Sequence, residues 1–104
     1  MGTRMNAREQ AYDVCRRKGK ELLAKLLAIR MEAKERGLRI SRVMVKLSRK
    51  KIVRLLCGWH GWTIERCKKE AARISSFWCY GMKIVPKTRG KLEVLWTGRN
   101  RVVA

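Results

Sequence analysis

From Thr63 to Phe77 the chain sorts two kinds of side chain onto two sides of one helix. Ile64, Cys67, Ala71, Ile74 and Trp78 recur at the spacing that places apolar residues on a single face. Thr63 stands in front of them as an N-cap. At about 100° per residue, Arg66, Lys69, Arg73 and Ser76 fall on the opposite side, about one turn apart. A helix divided in this way buries one side against a core and holds a row of polar and cationic groups clear of it, ready for a groove.

The segments on either side complete a pattern. Arg42-Val43-Met44-Val45-Lys46-Leu47 has the β-branched residues and partial alternation of a short strand. Ser48 then caps a helix from about Arg49 to Cys57, with Ile52, Val53, Leu55 and Leu56 facing the core and Gly58 ending it. Trp59-His60-Gly61-Trp62 forms the turn to the Thr63 helix. Of Trp59 and Trp62, either one plugs the corner between the helices or one stands out to stack on bases or sugars. Beyond Trp78, residues 80–87 read as a strand with Pro86 near its end. Thr88-Arg89-Gly90 is a turn, and Lys91 to Thr97 returns as the partner strand.

The N-terminal third is helical in composition. Asn6 followed by Glu9 resembles a capping box, no proline occurs between Ala7 and Arg36, and Gly37 is placed to end the helix. Gly19 costs about 1 kcal/mol relative to Ala, so the stretch is either one long helix or two joined there. Apolar residues from Leu22 to Ala33 spread over about half the circumference. That arc means either a helix deeply embedded in its own domain or a second seam, Leu23, Leu27 and Met31, against another copy of the chain.

Length and composition bound the function. A chain of 104 residues is one domain (1–104), with 1–37 as a packing or dimerisation helix. Apolar residues make up 46% of the sequence, which argues against disorder. The 27 Lys and Arg against 8 Asp and Glu leave a formal charge of +19, and a polyanion is the usual answer to such an excess. No acidic residue lies between Arg36 and Ile64, where eight cations do, and a solvated face normally mixes signs. No apolar run approaches the ~18 residues of a membrane span, and no signal-peptide region opens the chain. An intracellular site, in cytoplasm or nucleoid or in a nucleus, is expected.

Cys15, Cys57, Cys67 and Cys79 contain no C-x-x-C pair. They read as small buried hydrophobes, with a disulfide as the alternative in an oxidising setting or a hyperthermophile. His60 is the only histidine and has no carboxylate or serine at a suggestive spacing. With no paired acid and base, no phosphate loop and no partnered nucleophile, no enzyme activity, cofactor or metal is expected.

The order helix, strand, helix, turn, helix, strand, turn, strand resembles that of the winged helix-turn-helix family. The resemblance covers most of the chain and rests on element order. It implies a mainly α fold with a small antiparallel β-hairpin, in which 48–78 is the helix-turn-helix, 80–97 the wing and the long N-terminal helix a packing element. By position it implies that Arg66, Lys69 and Arg73 approach the major groove and that Lys87, Arg89 and Lys91 approach phosphates. Ser76, by its place in the α-helical row, and Arg49 and Lys50, by their place in the acid-free run, join them as candidate DNA-binding residues. The two Trp residues in the turn depart from the usual small residues. The expected function is sequence-preferring binding of double-stranded DNA by a homodimer, as a small transcription regulator or chromatin-type protein. RNA binding, or an adaptor covering an acidic protein surface, are the alternatives.

Overall fold

Asn6 starts the first helix as the sequence predicts. Its Oδ1 accepts the Glu9 backbone N–H at 2.8 Å, and its amide donates to the Glu9 carboxylate at 3.2 Å. The structure, a computed structural model, describes residues 6–96. Helix α1 (Ala7–Glu35) runs unbroken through Gly19. It ends where Gly37, at φ +71°, lets the Leu38 N–H reach back to the Ala33 carbonyl at 2.9 Å. A single 3-10 turn over Ile40–Arg42 leads into strand β1 (Val43–Ser48).

Ser48 closes the strand and opens α2 (Arg49–His60), its hydroxyl accepting from the Lys51 N–H. Gly58 does not end this helix as expected. The chain stays helical to His60, and Gly61 supplies the left-handed cap at φ +70°. The reason is tertiary, because Gly58 and Gly19 are the points at which α1 and α2 touch backbone to backbone. A Cβ on Gly19 would lie 1.8 Å from the Arg54 carbonyl oxygen, and one on Gly58 would lie 2.6 Å from the Gly19 backbone.

Helix α3 (Ile64–Arg73) begins at Thr63, whose hydroxyl accepts from the Arg66 N–H. It is shorter than the sequence predicts. Ile74 is already extended, and strands β2 (Phe77–Cys79) and β3 (Met82–Lys87) follow, joined at Tyr80-Gly81. Both turn residues have positive φ, the geometry of a two-residue type I′ hairpin. Part of the expected strand over 80–87 is therefore turn. Strand β4 (Glu93–Trp96) is the last described element.

The four strands form one mixed sheet in the order β2-β3-β1-β4. The expected antiparallel hairpin of 80–87 with 91–97 does not form, since β1 lies between β3 and β4, parallel to the first and antiparallel to the second. Burial explains why. Val43, Val45 and Leu47 are all buried, three alternate residues along one strand, and a strand at the centre satisfies both of its edges. β3 arrives parallel after the α2–α3 crossover and takes one edge, leaving the other for β4.

The helices pack on one face of this sheet. Leu26, Ile52, Leu55, Cys57 and Cys67 meet Val45, Leu47, Met82 and Ile84 in a single apolar cluster. Among the described residues no charged side chain is buried in it, and no helix is long and apolar enough to cross a membrane.

Candidate nucleic-acid interface

Helix α3 presents the side expected of it. Cys67 and Ala71 are buried, whereas Arg66, Lys69 and Arg73 are all exposed. Ser76 is exposed as well, but it lies beyond the end of α3 and does not continue the row. Trp78, expected on the buried side of a longer helix, is instead on β2 and 55% exposed. Both corrections have one cause, the end of the helix at Arg73 so that Phe77 to Cys79 can pair with β3.

Arg49 helps to make that end. Its guanidinium donates to the carbonyls of Ala71 and Ile74, which are among the unsatisfied acceptors of a helix C-terminus. The residue expected to meet phosphate is thus also a clamp between the start of α2 and the end of α3. Arg49 shares a shallow depression with Pro86, Lys87 and Thr88, so the basic side of α3 continues past Arg73 toward the β3–β4 connection. Lys50, Arg89 and Lys91 are exposed as well.

Two of the expected cations, Arg73 and Lys87, form ion pairs within the chain. Arg73 makes hydrogen bonds to both oxygens of Glu70, the shortest at 2.9 Å. Lys87 reaches Glu93 at 2.6 Å with its side chain only 14% exposed. The hydrogen bond from Lys87, and then its charge, hold the Glu93 carboxyl below its ordinary range. Glu65 is likewise held down, first by a backbone hydrogen bond at the start of α3 and then by Arg8 at 3.1 Å. With Glu32 paired to Arg36 at 2.8 Å, four of the eight carboxylates already have cationic partners.

The turn between α2 and α3 carries a ladder of flat groups that residue spacing did not reveal. The Arg66 guanidinium lies 3.9 Å from the centre of the Trp62 ring. Trp62 stacks on His60 at 4.3 Å, and His60 stacks on Trp59 at 4.5 Å. Phe77 stands 6.4 Å further on. The turn is held from beneath, where the Cys57 and Cys67 thiols donate to the Trp62 carbonyl and the Tyr12 hydroxyl donates to the Gly61 carbonyl at 2.8 Å. Trp59 and Trp62 are both half-buried at the corner between the helices, and their rings stack on groups of the chain itself.

All four cysteines are free, and Cys57, Cys67 and Cys79 are buried. Burial, followed by the neighbouring Cys15 and Cys67, pushes the Cys57 thiol up to about 12. Burial alone takes Cys79 to about 11. Among the described residues no group of three or more His, Cys, Asp or Glu is arranged to hold a metal ion. Of the expected dimer seam, Leu23 packs against the chain's own core, while Leu27 and Met31 are 41% and 57% exposed. Comparison with protein-family models, with curated proteins and with solved structures gives no match.

Proposed function

We propose that this chain binds nucleic acid, with double-stranded DNA as its main ligand, as a small transcription regulator or chromatin-type protein. The observation that carries the reading is the division of α3. Arg66, Lys69 and Arg73 stand in solvent along one side of a helix whose other side is anchored by Cys67 and Ala71. In the winged helix-turn-helix reading, α2 and α3 are the helix pair and α3 approaches the major groove. The connection 88–92, with Arg89 and Lys91, replaces a hairpin wing as the phosphate contact. Arg in the groove pairs bidentately with guanine and discriminates by about 1 to 3 kcal/mol per contact, whereas Lys contributes mainly charge.

Exposed Leu27 and Met31 supply a seam for a second copy. Structured RNA is the second reading, favoured by the stacked Trp59, His60 and Trp62 at the turn, since RNA is often recognised through unpaired bases laid on aromatic rings.

The test is a binding titration on random and selected duplexes with structured RNA as competitor at matched salt. Replacing Arg66 and Arg73 with Ala should lower preference among duplexes more than total affinity. Replacing Arg89 and Lys91 should weaken all duplexes alike. Equal effects from both pairs would remove the groove assignment, and stronger competition by RNA would move the protein to the second reading.

A further inference from the structure

The helices cover one face of the sheet, and the opposite face has no described element on it. Alternation along the strands places Met44, Lys46, Lys83, Val85 and Leu95 there, with Trp78 at the β2 edge. The register lines them up across the strands. Trp78 pairs with Lys83, Lys83 with Met44, and Met44 with Leu95, forming one row. In the next row Val85 pairs with Lys46, and Lys46 with Glu93. Neighbouring strands lie about 4.8 Å apart and successive rows about 6.6 Å apart, so the face is a plate of aliphatic surface crossed by lysines with one large exposed ring.

We propose that this face is a second binding surface that takes unpaired bases of a single-stranded nucleic acid. Trp78 would stack on a base, Met44, Val85 and Leu95 would support the bases beside it, and Lys46 and Lys83 would meet the phosphates. Charge complementarity selects the occupant. The lysines of the face outnumber its one carboxylate, Glu93, which is already bound by Lys87, so an anionic ligand is favoured. An exposed indole at a sheet edge beside Lys83 has no use for a duplex, whose bases are already stacked. It suits a strand whose bases are free, where stacking is sequence-tolerant because every base has a π-face. This inference does not depend on α3, which belongs to the opposite layer.

The test uses the full chain and two oligonucleotides of equal length, oligo-dT and the same backbone without bases, measured by fluorescence anisotropy. The wild-type protein should bind the strand with bases about tenfold or more tightly than the abasic one. Trp78→Ala should reduce that ratio to near one, and Trp78→Phe should keep most of it. Lys46→Gln with Lys83→Gln should weaken both oligonucleotides together. Duplex affinity should be unchanged by Trp78→Ala and lowered by Arg66→Ala with Arg73→Ala, so that failure on one surface is distinguishable from failure on the other. Equal wild-type binding to both oligonucleotides would overturn the proposal and leave the face to a protein partner. So would a base dependence that survives in Trp78→Ala.

Discussion

At the scale of single residues, the structure turns on two glycines and three buried thiols. Gly19 and Gly58 let α1 and α2 meet along their backbones, and the added methyl of an alanine at either would lie within 3 Å of main-chain atoms. Alanine normally gains about 1 kcal/mol over glycine inside a helix. Here overpacking should outweigh that gain, so Gly19→Ala and Gly58→Ala should each destabilise the protein by about 2 kcal/mol or more in urea titrations. Gly37→Ala is the control, since its Cβ would meet nothing within 4 Å and only the φ of +71° opposes it; it should cost about 1 kcal/mol. The thiols give a pH dependence. Unfolded Cys57 and Cys79 ionise near their ordinary 9.0, whereas the folded ones hold their protons to about 12 and about 11. Above pH 9 the unfolded state therefore has fewer protons than the folded one, and raising the pH draws the equilibrium toward it. Stability from these groups should be full below pH 9 and fall as the pH rises toward 11 to 12. Urea titrations at successive alkaline pH values, with Cys79→Ala flattening part of the slope, would check the sign.

At the scale of elements, the helix starts and the end of α1 were legible in the sequence because their signals are local, whereas the ends of α2 and α3 were set by tertiary contacts. Asn6, Ser48 and Thr63 each cap a helix through their own side chain, and Gly37 ends α1 by its own φ. The sheet was not legible for the opposite reason. Which strand takes the centre depends on burial of Val43, Val45 and Leu47 against helices distant in sequence, and nothing in residues 80–97 announces that β1 will come between β3 and β4. The Tyr80-Gly81 turn was hidden because a positive φ at Tyr80 lacks the Asn or Asp that usually marks it. Cation placement on α3 followed from periodicity, but the stack from Arg66 to Trp59 required knowing that α2 extends through His60. The same limit applies to the seam on α1, where periodicity grouped Leu23 with Leu27 and Met31 while packing took Leu23 for the core. A homodimer through this seam should show as a twofold mass in sedimentation, and Leu27→Glu with Met31→Glu should return it to monomer without loss of helix by circular dichroism. A single-chain mass for the wild-type protein would remove the seam from the proposal.

At the scale of the whole molecule, the charge of +19 should act on the free protein and on the proposed duplex complex with opposite sign. Unbound, the excess cations repel one another, and neither the eight carboxylates nor the four ion pairs among the described residues offset them. Surface pairs of this kind add little stability. Screening shortens the reach of that repulsion to about 10 Å at 0.1 M salt and about 3 Å at 1 M, so the melting temperature of the free protein should rise with added salt. On a duplex, as proposed, the same cations would displace counterions, and salt would drive the reaction backward. If about six of them neutralise phosphates, log K should fall against log salt with a slope near −5, which weakens binding roughly a thousandfold between 50 and 200 mM. Removing Arg89 and Lys91 should reduce the slope to about −3.2, because each lost phosphate contact takes about 0.9 from it. Arg66 over Trp62 and Arg73 on Glu70 are already partly occupied, so replacing that pair should change the slope less than replacing the pair at the β3–β4 connection. A melting temperature that rises with salt while duplex affinity falls would identify surface charge as the common origin of both effects. Affinity insensitive to salt would place the binding energy elsewhere and remove duplex DNA as the ligand.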